Sequence, residues 1–445
     1  MQIWARMRFG LKAVMVVGMT LAILIPLMMI RGTISERQSY RQQAVESIAA
    51  SYAGEQRVAG PVLVVPYTET VEAEERNNAG VVIRKFKRDG NKGVWTFFPE
   101  NVDLDGNLVP STRRLGLHEV RVYELKGTLA ARFRVAIPAD ANPELPRKIG
   151  QPWLSYDIAD VRGLAGSPQL RIDGREQTLQ QGIGSREGSG VHVRLPAPVA
   201  GTAVALDTRL AFALGGTESL TVVPLAKRNR IVIDSSWQHP QFNGDFLPRT
   251  RRIDGNGFHA EWEVSSLASN AQAQYLGKTK LDAIGISLVE PVNVYSQADR
   301  ASKYGLLFVA LTFVGFFMLE VVKQLRIHPI QYGLVGLALA IFFLLLVSLS
   351  EHIAFGWSYL IASVACIGLL GIYVSSVLRS TARGLGFATM LGLLYAALYG
   401  LLVSEDNALV LGAGLLFVIL ATIMILTRKI DWYGMASLRA DEAQA

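Results

Sequence analysis

The chain has 445 residues, half of them hydrophobic and only 18% charged, with a single cysteine. This much apolar surface excludes a disordered chain, the lone Cys366 excludes a disulfide framework, and the length suits two or three folding units. The formal charge of +7 is no nucleic-acid footprint: residues 31–300 carry 33 Lys and Arg against 30 Asp and Glu, and the densest basic cluster (Arg84, Lys85, Lys87 and Arg88) is broken by Phe86 and reads as the end of a strand.

The first predicted element is an uncharged apolar run over 13–30, preceded by Arg6, Arg8 and Lys12. Its length and the absence of a small-residue cleavage site before Arg31 mark an uncleaved signal anchor rather than a signal peptide. Residues 31–56 read as a helix continuing that span outward as a stalk, because Val45, Ile48, Ala49 and Tyr52 fall at helical spacing among polar neighbours. The pattern then turns strand-like. Segments rich in β-branched residues or alternating in polarity occur at 62–65, 81–83, 94–98, 118–125, 130–137, 191–195, 202–212, 219–223 and 230–233, punctuated by Gly and Pro. They predict a largely antiparallel β domain with a minor helical part. No βαβ alternation suggests a nucleotide-binding sheet. The domain has no cysteine and must hold itself by core packing, at a length that admits two subdomains.

Five further apolar runs follow at 304–319 (extended to 322), 330–350, 353–378, 384–404 and 408–427. Basic residues mark alternate connections: Lys323 and Arg326, Arg379 and Arg383, Arg428 and Lys429. The turns between them carry Glu351 and His352, then Glu405, Asp406 and Asn407. Lys and Arg resist translocation, so this asymmetry places both termini in the cytoplasm. The expected organisation is a cytoplasmic N-terminus (1–12), a signal anchor (13–30), a periplasmic β-rich domain with a helical stalk (31–303), a five-helix transmembrane bundle (304–427) and a cytoplasmic tail (428–445). The fold class is a multi-pass α-helical membrane protein with a large, mainly β exported domain.

Catalytic chemistry is hard to find. The six histidines show no metal-ligand spacing, and no cysteine lies near to complete a zinc site, so no cofactor or metal is expected. Gly184-Ser185 and Gly188-Ser189-Gly190 do not form a nucleophile elbow. Gly277-Lys278-Thr279 matches the end of a phosphate-binding loop, yet Gln272 stands where its first glycine belongs. Within the spans the one acidic residue is Glu320, near a cytoplasmic end, where it reads as a wetted carboxylate paired with Lys323 rather than a proton relay. Phe242-Asn243-Gly244-Asp245 reads as a tight Asn-Gly turn between apolar residues, with exposed partner recognition as the sharper alternative. Asp431, Trp432 and Tyr433 follow the last run and suit an interfacial anchor.

Several strings resemble the CreD family of bacterial inner-membrane proteins, named for the Cre two-component regulon. They include Val58-Ala59-Gly60-Pro61-Val62-Leu63-Val64-Val65-Pro66-Tyr67, Arg114-Leu115-Gly116-Leu117-His118-Glu119-Val120, and Pro240-Gln241-Phe242-Asn243-Gly244-Asp245-Phe246-Leu247-Pro248. Further along come Gly257-Phe258-His259-Ala260-Glu261-Trp262, Glu290-Pro291-Val292-Asn293-Val294-Tyr295, Arg326-Ile327-His328-Pro329-Ile330-Gln331-Tyr332 and Arg428-Lys429-Ile430-Asp431-Trp432-Tyr433. The stretch from Lys126 to Trp237 carries no such string. The resemblance implies an inner-membrane protein tied to carbon-source and envelope-stress responses, with altered members connected to colicin tolerance. It implies no catalytic residues. The expectation is therefore a non-enzymatic envelope factor whose partners are the lipid bilayer and a periplasmic or envelope component, not nucleic acid. The alternative is a permease passing a small uncharged solute through the bundle.

Overall fold

The computed structural model describes residues 14–78, 82–184, 188–288, 294–322, 327–404 and 408–428. Two compact units emerge, one of Met1–Tyr40 with Val292–Ala445 and one of Arg41–Pro291.

The second unit is built on two sheets. The nine-stranded sheet runs Pro240–Gly244, Ile284–Leu288, Ser219–Val223, Gln56–Arg76, Trp153–Ile158, Gly190–Arg194 and Gln180–Gln181, with Val82–Phe97 and Lys148–Ile149 also paired to Gln56–Arg76. The eight-stranded sheet runs Thr250–Asp254, Gly257–Ser265, Arg228–Ser235, Asn101–Leu115, His118–Ala136, Ala203–Thr217, Leu164–Ile172 and Arg175–Gln177. Among the described residues, pairing is antiparallel except at two places. Gln56 to Ala59 lie parallel to Leu220 to Val223, and Asn101 to Leu108 lie parallel to Arg228 to Ser235.

One hydrophobic core joins the two sheets, drawing Leu63, Leu154 and Ile286 from the first and Leu104, Leu129 and Trp262 from the second. The domain is thus one packed unit rather than two subdomains. Period-2 alternation explains the arrangement along His118–Ala136: Tyr123, Leu125, Leu129, Ala131 and Phe133 enter that core, while Val120 and Val122 point to the other face. There they meet Ala44, Val45, Ile48 and Tyr52 of helix α1, Leu24–Ser51. Val45, Ile48 and Tyr52 of the stripe read from the sequence thus pack on the outer face of the eight-stranded sheet, with Ala44 beside them in place of Ala49. The helix stops at Ser51, short of residue 56, because the chain enters its first strand at Gln56.

The junction is closed by polar contacts. Helix termini leave carbonyls without intrahelical partners. Arg162 donates to the Ala50 carbonyl and is itself held by Asp160. Asp160 Oδ2 also accepts the Gly54 N–H at 3.1 Å, and the buried Gln56 amide donates to the Asp160 and Gly215 carbonyls at 2.9 and 2.8 Å. The Arg162 guanidinium beside Asp160 holds its carboxyl down at about 2.

In the other unit, α1 is followed by α2 (Val294–Val322), α3 (Pro329–Ser350), α4 (Phe355–Val377), α5 (Thr381–Val403) and α6 (Ala408–Thr427). Five helices among the described residues are long and apolar enough to cross a membrane: the N-terminal helix and four in the C-terminal region. The last predicted run is the 20-residue helix α6, with the bounds read from the sequence. His328 caps α3 through a capping box with Gln331, and Pro329 sits in the first turn, where its missing N–H costs nothing.

Candidate functional site

The Phe242–Asp245 string lies at an edge of the nine-stranded sheet. Pro240–Gly244 is a strand paired with Ile284–Leu288, so Asn243-Gly244 closes an edge strand instead of forming a two-residue hairpin turn. Side-chain and backbone bonds across the register fix it there. Asn243 Nδ2 donates to Ser287 Oγ at 2.7 Å, the Asp245 N–H donates to the Ala283 carbonyl at 2.8 Å, and Asp245 Oδ2 accepts the Ala283 N–H at 2.9 Å. Gly244 has φ +86°, the left-handed conformation expected of it, and a Cβ there would stand 2.3 Å from the Ala283 carbonyl oxygen. Phe242 meets Phe258 and Trp262 edge-on, each at 5.6 Å, and the Trp262 indole donates to the Phe246 carbonyl. Phe242 and the adjoining Phe246 therefore pack against the core, while Asn243 and Asp245 are exposed.

A polar group that sequence reading missed lies on the same sheet. Ser155 and Asp157 alternate along Trp153–Ile158 on the face opposite to Leu154, Tyr156 and Ile158 of the core. His192 is the cross-strand neighbour of Ser155, and Gly190 that of Asp157. The short helix Ala271–Gly277 brings Tyr275, whose hydroxyl donates to Asp157 Oδ2 at 3.1 Å. His192 Nδ1 lies 2.8 Å from the Gly182 carbonyl and so carries the proton there. Its Nε2 and Asp157 Oδ1 are both buried without a hydrogen-bond partner. Burial pushes the Asp157 carboxyl up to about 6, against the opposing pull of the Tyr275 hydroxyl and the Arg57 charge. No motif announces this cluster, because its members come from three segments far apart in sequence. Gly277 and Lys278 end that helix, with Lys278 left-handed, so the phosphate-loop resemblance has no helix to open.

In the membrane-type helices, Glu320 is 5% exposed, not wetted. Tyr332 donates its hydroxyl to Glu320 Oε2 at 2.9 Å, and the Ile327 N–H lies 3.5 Å from Oε1. Lys323 lies outside the described residues, as do Asp431, Trp432 and Tyr433. Around the pair the core is aromatic. Tyr332 packs edge-on against Phe313 and Phe316, and Tyr395 against Phe308 and Phe342 with centroids at 4.6 Å. Tyr359 donates to the Tyr395 carbonyl at 2.7 Å, and Tyr395 to the Cys366 sulfur at 3.2 Å. Midway along α1, Arg37 meets Glu351 at 3.4 Å, and Tyr295 of α2 reaches the same carboxylate at 3.2 Å. Among the described residues, no group of three or more His, Cys, Asp or Glu is placed to hold a metal ion.

The family model described as "Inner membrane protein CreD" matches residues 8–433. The inner membrane protein CreD of Escherichia coli (strain K12) is 35% identical over 426 residues, covering 94% of this chain and 92% of that protein. Among solved structures, native leukotriene A4 hydrolase from Saccharomyces cerevisiae matches at 13% identity and a TM-score of 0.22, over 48% of this chain and 35% of that one. A second structure of the native yeast enzyme matches at 10% identity and a TM-score of 0.21, over 48% and 34%. Scores this low transfer neither fold nor activity.

Proposed function

This chain belongs to the CreD family of inner membrane proteins, and from that membership we propose that it works without catalysis, as a membrane-held component of the envelope-integrity response. In this reading both termini are cytoplasmic. Residues 31–303 stand in the periplasm and contact an envelope partner. The alternation of basic and acidic connections supports the orientation.

The observation that carries the proposal is the filling of the bundle. Phe308, Phe313, Phe316, Phe342, Phe343 and Tyr395 are buried and interlocked, which suits a rigid anchor. A solute path would need these rings to part, and that weighs against the permease reading. The polar edge at Asn243 and Asp245 is the surface we assign to the partner.

The test is photo-crosslinking in intact cells from a probe at position 243, with a probe at position 109 on the other sheet as control. Capture of one defined envelope component from position 243 alone is the expected result. Equal capture from both positions would remove the edge from the proposal. Alkaline phosphatase fusions after Arg300 should be active and those after Arg326 inactive. The reverse would overturn the orientation.

A further inference from the structure

The N-terminal helical span Val14–Ser51, of which α1 is the larger part, has two unlike faces. Ile23, Leu27, Ile30 and Ile34 are buried in the helical core. Another stripe, Leu21, Ile25 and Met28, is more than half exposed, and it continues at helical spacing into Arg31, Gly32, Ser35 and Gln38. The exposed face thus changes from apolar to polar within one turn, as a helix does where acyl chains give way to headgroups.

At that level Met28, Arg31, Gly32, Ser35 and Gln38 line a cavity with Asp299 of α2. Its volume is about 440 Å³, within the range of small-ligand sites. Arg31 Nε lies 3.9 Å from Asp299 Oδ1, and Lys303 Nζ lies 2.6 Å from Asp299 Oδ2. Two cations share one carboxylate, and the excess charge is positive. Arg31 keeps further guanidinium donors, and Ser35 and Gln38 supply neutral polar groups beside it. Gly32 supplies the room, since a Cβ on it would meet no atom within 4 Å.

We propose that this cavity binds the headgroup of an anionic phospholipid. The phosphodiester sits on Arg31, the headgroup hydroxyls face Ser35 and Gln38, and an acyl chain lies along Met28, Ile25 and Leu21. A zwitterionic lipid fits less well, because Asp299 is already paired with Lys303 and is not free for an ammonium group.

The test uses the full-length protein in detergent, titrated with palmitoyl-oleoyl phosphatidylglycerol, with retained lipid counted by native mass spectrometry. One lipid per chain is expected. Arg31→Gln should weaken retention about fivefold, the effect of one basic residue at a membrane surface. Gly32→Leu fills the cavity without a clash and should abolish retention. Gly18→Leu, on the same N-terminal helical span (Val14–Ser51) and equally free of neighbours, should retain the lipid. Equal retention of the matching phosphatidylethanolamine would overturn the proposal. So would retention by Gly32→Leu, or displacement of the lipid by millimolar inorganic phosphate.

Discussion

The Tyr332 hydroxyl reaches the Glu320 carboxylate across 2.9 Å in a setting where both side chains are buried. The carboxylate is therefore held by a positioned donor from the next helix. Tyr332→Phe should remove that donor and destabilise the full-length protein by about 1–3 kcal/mol. Glu320→Gln keeps an acceptor for Tyr332 and should cost less. Thermal unfolding of the two variants in detergent orders them. Complete loss of the cellular phenotype in Glu320→Gln, with normal insertion, would instead favour proton coupling.

Asp157 makes stability depend on pH in a definite direction. Its folded-state pKa, about 6, lies above the ordinary value of 3.8. The native state therefore holds this proton more tightly than the unfolded chain. The stabilisation is complete below the unfolded value and is lost as pH rises from about 4 to about 6. Its size is on the order of 2 kcal/mol for a largely buried group. Asp157→Asn should raise the melting temperature at pH 7.5 and flatten the profile between pH 4 and 6.5. An unchanged profile would show that Asp157 does not govern it.

Asp160 acts with the opposite sign. Its carboxyl is held at about 2, so its contribution is present above pH 4 and fades as pH falls through 2. Arg162→Ala should remove that acid sensitivity and loosen the end of α1, measured as faster amide exchange at residues 49–54.

The sheet edge separates packing from recognition. Gly244→Val forces a branched side chain into a left-handed conformation and against the Ala283 carbonyl, and should cost about 2 kcal/mol or more. Asp245→Ala removes the acceptor of the Ala283 N–H and should cost about 1 kcal/mol. Normal stability of Asp245→Ala with loss of the phenotype would identify recognition as its main role.

Chelator and reductant should leave the melting temperature within a degree or two. Cys366 is the chain's single cysteine, and the core of residues 41–291 rests on apolar packing.

Helices were the most legible part of the chain. Runs read at 330–350 and 408–427 became Pro329–Ser350 and Ala408–Thr427, because an apolar stretch bounded by polar residues has one economical conformation in a bilayer. Strands were legible as local alternation but not as partners. Residues 118–125 and 130–137 merged into one strand across Gly127, whose neighbour is Gly106 on the paired strand. Asn101–Leu115, carrying Asp103, Asp105 and Gly106, was not anticipated, since tertiary pairing overrides weak strand propensity. The Asp157 cluster was invisible for a related reason: cross-strand proximity and the cover of a seven-residue helix bring it together. Glu320 was legible as an acidic residue within a span, but its donor Tyr332 was not, because Tyr332 lies on a different helix.

The strand Gln56–Arg76 sits inside its sheet, with Trp153–Ile158 on one side and Ser219–Val223 on the other. The parallel partner of Gln56 is Leu220, more than a third of the chain further on. A ribosome feeding this polypeptide out in order delivers the start of this strand with an unfilled flank, since Val82–Phe97 pairs only from Leu63 onward, and the mate of Gln56–Ala59 arrives only after a long interval. Contacts so distant in sequence form slowly, and an open flank invites pairing with other chains. Shielding the early strands until the late ones emerge should therefore favour biogenesis of this protein. A holdase acting during that interval should raise its yield more than it raises that of a helical membrane protein of equal length.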